Sequence, residues 1–169
     1  MKNLKFILLT SICLFAFSYG FSQSKKKSNQ YTQQFRYDIT CESEGVQGSY
    51  IVKVWSYCKK SKPAVATEQS RKNAVHGVIF KGVSGIGQKC QSQRPLAPDP
   101  TIEHQHSDFF KKFFSDGGDW QKYVSASMRT DRVKVGREYK IGVVVSVSKD
   151  QLRKDLEAAG VIKGLSSGF

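Results

Sequence analysis

The run EYKIGVVVSV, Glu138 to Val147, constrains the fold of this chain more than any other stretch. Tyr139, Ile141, Val143, Val145 and Val147 alternate with Lys140, Gly142, Val144 and Ser146, so one side is wholly apolar, the period of a strand laid on a core. Such a strand needs a neighbour for its backbone, and Ser127 to Val135, across a turn at Gly136, is placed to supply one. Ser148 and Gln151 then read as a capping box. Leu152, Leu156 and Ala159 form the apolar stripe of a closing helix that stops at Gly160.

A second hairpin lies near the start of the folded region. Phe35, Tyr37, Ile39 and Cys41 alternate with Arg36, Asp38, Thr40 and Glu42, and after Gly45 and Gly48 the β-branched and aromatic segment YIVKVWSYC returns. Pro63 suits a first helical turn, and Thr67, Arg71, Ala74, Val75, Val78 and Ile79 fall on one side at helical spacing, leaving Glu68, Lys72 and Asn73 for water. That helix should end before Gly82. GVSGIGQ follows a helix instead of a strand, which makes it a flexible connection and not a phosphate cradle. RPLAPDP is an extended loop.

Strand, strand, helix, loop, helix, strand, strand, helix predicts an α+β fold, an antiparallel sheet of about four to five strands with two to three helices on one face. The two halves are loosely alike, the pattern of an internal repeat.

At the other end of the chain, Lys2 and Lys5 precede an apolar run from Phe6 to Phe17, and Ser18, Gly20 and Ser22 follow, the layout of a secretory signal cleaved before Gln23. The run is shorter than the roughly 20 residues a spanning helix requires. Cys13 sits inside it, after Ile12, and so reads as filler rather than a lipidation site. Residues 1–22 are therefore expected to be a signal, 23–33 a mobile basic leader, and 34–169 one domain.

The formal charge is +13, and removal of Lys2 and Lys5 with no acid leaves 25 basic against 14 acidic residues, or +11. A charge of that size favours polyanions such as anionic lipid or glycan. Its positions are scattered, which reads first as a solvated basic surface; Lys59, Lys60, Lys62, Arg71 and Lys72 are the candidate binding cluster.

Cys41, Cys58 and Cys90 remain after the signal, and an exported chain can pair two of them. Across the first hairpin the partner of Cys41 lies near Ile51, seven residues from Cys58. At about 3.3 Å per residue that gap is beyond disulfide reach, so Cys58 with Cys90 is the expected pair.

EHQHSDFF places His104 and His106 on one side of the chain if the segment is extended, and Glu103 or Asp108 supplies an oxygen, a donor set that zinc accepts. His104, His106 and Asp108 are thus the candidate metal ligands. The competing reading makes Ser107 the cap and Asp108 the first-turn acid of a helix whose Phe109, Phe110, Phe113 and Phe114 share a face. No serine stands in a GxSxG turn, and no paired carboxylates mark an active strand end, so nothing demands an enzyme. Trp55, Tyr57, Trp120 and Tyr123 are able to stack on sugars or bases.

The helix ATEQSRKNAVHGVIF, followed later by YKIGVVVSVSKDQLRKDLEAAG, resembles exported bacterial domains of the flagellar H-ring N-terminal and LPP20-like lipoprotein type. The likeness touches about half of the chain that follows the signal; the segment from Cys90 to Trp120 has no counterpart in it, and there is no lipidated cysteine. It implies a non-catalytic envelope module that packs against other envelope proteins, and carries no functional residues across. The expected role is binding or assembly at the cell envelope, with a periplasmic, outer-membrane-associated or secreted location, no integral membrane segment, no cofactor and no nucleic-acid partner. The alternatives are a zinc-dependent hydrolase using His104 and His106, and a glycan or polyanion binder acting through a basic surface.

Overall fold

The computed structural model describes residues 36–46, 48–58, 63–87 and 90–164. The expected signal and leader, together with Lys59, Lys60 and Lys62, lie outside the described residues.

Four strands form one antiparallel sheet: β1 (Tyr37–Glu44), β2 (Ser49–Cys58), β3 (Arg129–Val135) and β4 (Glu138–Ser148), in the order β1-β2-β4-β3. The fold is α+β, with helices α1 (Pro63–His76), α2 (Ile102–Gln105), α3 (Ser107–Phe113) and α4 (Lys149–Ala158) packed against the sheet. A π-helical turn, Gly77–Lys81, extends α1, and a 3₁₀ turn covers Asp119–Tyr123. The order strand, strand, helix occurs twice, and the second strand of each half lies at the centre.

Register decides which side chains enter the core. Val52, Val54 and Ser56 of β2 stand opposite Val145, Val143 and Ile141 of β4, and all are buried. Tyr37, Ile39 and Cys41 of β1 extend that face, and α1 covers it with Ala66, Ala74, Val75, Val78 and Ile79. Beyond α1 lies an aromatic layer of Phe110, Phe113, Phe114, Trp120 and Tyr123, in which the phenylalanine and tyrosine rings meet edge-on or stacked.

Helix α1 is therefore covered on two sides, and this overturns its expected wet face. Asn73 is wholly buried: its amide donates to Ser56 Oγ at 3.0 Å and its carbonyl accepts from Gln69 Nε2 at 2.9 Å. Ser70 Oγ donates to the same serine at 2.9 Å, so the buried polar atoms satisfy one another. Lys72 is buried as well, under Trp120, with Nζ 3.3 Å from Asp116.

The expected capping box of α4 does not form. Ser148 makes no side-chain cap; instead the amide of Asp150 donates to the carbonyl of Gly48 in the β1–β2 turn at 3.1 Å, and Gln151 bonds Asp155. Leu152 and Leu156 are buried as expected, but Ala159 is exposed, and Val161 and Ile162 beyond Gly160 enter the core in its place. Ser107 likewise opens α3 without capping it, since the N-cap residue is His106.

The glycine-rich stretch is not a flexible connection. Val83 and Gln93 exchange backbone bonds of 2.9 and 2.8 Å, Ile86 bonds Cys90 at 3.2 Å, and Cys41 donates to Ser84 at 2.8 Å, so residues 83–87 and 90–93 form an arm that meets the outer rim of β1 at Ser84. A Cβ on Gly85 would meet the Cys90 carbonyl at 2.5 Å, which is why a glycine stands there. The arm sets Cys90 beside Cys41, their Cα atoms 6.0 Å apart and their sulfurs bonded. The expected Cys58–Cys90 pair is thus corrected to Cys41–Cys90. In the β1–β2 register Cys41 faces Val52, while the backbone of Cys58 lies six residues further along, about 20 Å away.

Candidate functional site

Two places carry chemistry. The first lies inside the fold, where β1, α1 and α2 meet. Nδ1 of His76 lies 2.5 Å from the Tyr37 hydroxyl, and Nε2 lies 3.2 Å from Glu103 Oε1. A carboxylate can only accept, so Nε2 carries the proton and Nδ1 accepts from the phenol. The rings of Phe80 and Phe114 flank the imidazole, and Lys81 lies 3.6 Å over the Tyr37 ring. Burial, reinforced by the Glu103 charge, pushes the Tyr37 phenol well above the ordinary tyrosine value of 10.0. The order carboxylate, imidazole, hydroxyl resembles a nucleophile relay, but Tyr37 is only 5% exposed, so its hydroxyl is closed off from solvent. The chain of bonds therefore ties β1, α1 and α2 together.

This arrangement answers how EHQHSDFF is used. Glu103 turns in toward His76, and the segment is helical over Ile102–Gln105 instead of extended. His104 is exposed on α2, whereas His106 lies outside that helix, partly buried at the junction with α3. Asp108 is exposed and meets Lys111 at 3.4 Å. Among the described residues, no three histidine, cysteine, aspartate or glutamate side chains converge to hold a metal ion.

The expected basic cluster is also rearranged. Lys72 is buried against Asp116, and Arg71 binds Glu68 at 2.8 Å and the Ser125 carbonyl at 3.0 Å, so these two cations join the aromatic layer to α1 and do not form an open basic face.

The second place is the face of the sheet opposite the helices, which carries Asp38, Thr40 and Glu42 of β1, Lys53, Trp55 and Tyr57 of β2, Lys140 and Gly142 of β4, and Arg129 and Asp131 of β3. No described helix lies over it. Trp55 lies across Gly142, where a Cβ would come within 2.7 Å of the indole, so the glycine is the seat for the ring. Lys53 and Lys140 stand 4.7 and 5.3 Å from that ring, and Arg36 is 4.5 Å above Tyr57.

Each cation on this face has an acid. Lys53 binds Asp131 at 2.6 Å, Lys140 binds Asp38 at 3.1 Å, and Arg129 binds Glu42 at 3.0 Å. The hydrogen bond from Lys53, with the Arg129 charge, holds the Asp131 carboxyl below the ordinary aspartate range. Partial burial draws Lys140 down, but its bonds to Asp38 and Tyr57 outweigh that and leave it raised. The face is thus close to neutral, with two half-exposed aromatic rings set among hydrogen-bonding groups.

Of the four aromatics whose rings could stack on a ligand, Trp55 and Tyr57 stand partly exposed on this face, whereas Trp120 and Tyr123 belong to the interior. Among the described residues, no helix is long and apolar enough to cross a membrane. No protein-family model, no curated protein and no solved structure matches the chain.

Proposed function

We propose that this chain is a non-catalytic binding or assembly module of the cell envelope, exported by its N-terminal signal, that engages partners through the open face of its sheet. The observation that carries the reading is the pair Trp55 and Tyr57, partly exposed on a face that no described helix covers, whereas Tyr50, Phe80, Phe109 and Tyr139, also partly exposed, pack against the core. Tryptophan, tyrosine and arginine are the residues most enriched among the anchors of protein interfaces. The likeness to envelope domains noted in the sequence points the same way, as does the engagement of Tyr37, His76 and Glu103 in holding elements together.

A second reading is favoured by the same rings. A flat aromatic platform bordered by paired amines and carboxylates also suits a glycan, which stacks on the rings and exchanges hydrogen bonds with the margin.

Retention of the purified protein on immobilised envelope proteins and on cell-wall sacculi, with and without Trp55→Ser and Tyr57→Ser, tests both. Loss of protein retention in the variants supports assembly, and loss on sacculi alone supports the glycan. Retention that neither substitution changes, in variants with native circular dichroism, rejects the open face.

A further inference from the structure

The two rims of the sheet are treated differently. The rim of β1 is met at Cys41 by the arm of residues 83–87 and 90–93, through the Ser84 carbonyl and the Cys41–Cys90 bond. The rim of β3 is bare: among the described residues no strand lies beyond it, and six of its seven residues are exposed. Alternate residues of such a strand direct their amide and carbonyl groups away from the sheet, ready to pair with another backbone.

The side chains along this rim are sorted by face. Thr130, Arg132 and Lys134 stand opposite Val143, Ile141 and Tyr139 on the helix side, where all three are exposed, and Arg132 lies 4.0 Å over the Tyr139 ring. Val133 and Val135 stand on the other side, 47% and 48% exposed, with Met128 exposed just before the strand. From Arg129 to Arg137 there are four basic residues and one acid, Asp131, and that acid is already held by Lys53. Charge alone would serve to keep a rim from sticking; a row of exposed valines on the opposite side of the same strand does not serve that purpose.

We propose that the free rim of β3 receives an extended acidic segment of a partner protein as a fifth strand, its carboxylates beside Arg132 and Lys134 and its apolar residues beside Val133 and Val135. The inference rests on the reading of the chain as a binding module and names its partner's chemistry. The occupant is not another part of this chain, because all 14 acidic residues lie between Asp38 and Glu157, and the residues outside the described ones contain none. A second copy is disfavoured by charge: two β3 strands paired antiparallel about their midpoint set Arg132 against Arg132.

The test uses the purified chain and a short synthetic peptide alternating glutamate with valine, followed by calorimetry and by amide exchange. Binding is expected, with new protection of the outward-facing β3 amides. Arg132→Glu with Lys134→Glu should weaken it about tenfold. A peptide with lysine for glutamate, or with the amides of one edge N-methylated, should not bind. Both peptides keep the test decisive should the double variant fold poorly. Absent binding, equal binding of the lysine peptide, or indifference to N-methylation overturns the proposal and leaves the basic residues as guards of an idle rim. Failure here while Trp55 and Tyr57 still govern retention removes the rim alone; failure of both removes the binding reading.

Discussion

The Tyr37 hydroxyl and His76 Nδ1 lie 2.5 Å apart although 39 residues separate them in the chain, and both are buried. This bond, continued through Nε2 to Glu103, joins the first strand to the end of α1 and to the short α2 turn. Tyr37→Phe removes the donor and leaves a buried imidazole nitrogen without its partner. A loss of about 1–3 kcal/mol is expected in urea unfolding, with the fold retained. No change in midpoint would show that the bond contributes nothing.

Tyr37 and Tyr123 should resist alkaline titration. Burial raises both phenols above the ordinary 10.0, and Tyr123 is raised further by its bond to Asp155. A group whose folded value is raised contributes stability that is complete below the unfolded value and is lost as pH rises through the folded one. Stability is therefore expected to fall above pH 10.0, and these phenolates to appear in the ultraviolet spectrum only together with unfolding. Ionisation of every tyrosine before any loss of circular dichroism contradicts this.

The disulfide closes a segment in which Cys41 and Cys90 are 49 residues apart. Loop entropy places its contribution at about 3–4 kcal/mol, so the Cys41→Ser, Cys90→Ser double variant should unfold at distinctly lower denaturant. Alkylation of the unreduced, denatured chain lacking residues 1–22 should leave Cys41 and Cys90 unlabelled, as read by peptide mass mapping. Labelling at Cys41 or Cys90 would refute the pairing.

Lys72 and Asp116 form an unequal ion pair, the lysine side chain 3% exposed and the aspartate 47%. Lys72→Met replaces a desolvated ammonium with an apolar chain of similar length and should be neutral or stabilising. Asp116→Ala keeps the buried charge and removes its acid, at a cost of about 1–3 kcal/mol. Thermal melts of the two variants in parallel decide the order, and a reversed order rejects this account.

The parts of the fold that could be read in advance are those whose neighbours impose a single period. β4 is covered on one side by α1 and flanked by β2 and β3, so Ile141, Val143, Val145 and Val147 advertise the core directly. Helix α1 defeats that reading because the sheet covers one side of it and the phenylalanine layer another, and Asn73 and Lys72 are buried through contacts made at long range. The disulfide depended on where the arm runs: Cys41 was rightly kept from Cys58 by strand register, yet nothing local to Cys90 reveals that the glycines fold back along β1. EHQHSDFF was ambiguous for a similar reason. An extended chain would bring His104 and His106 together; the segment is instead helical over Ile102–Gln105, with His106 outside it, and Glu103 goes to a histidine 27 positions earlier.

The arm also has a consequence for how far this molecule can grow by backbone pairing. Filaments built edge to edge need two sticky borders on every subunit, one to receive and one to offer. A crosslinked flap over one border leaves a subunit with a single vacancy, so accretion halts after one addition and the stoichiometry is capped.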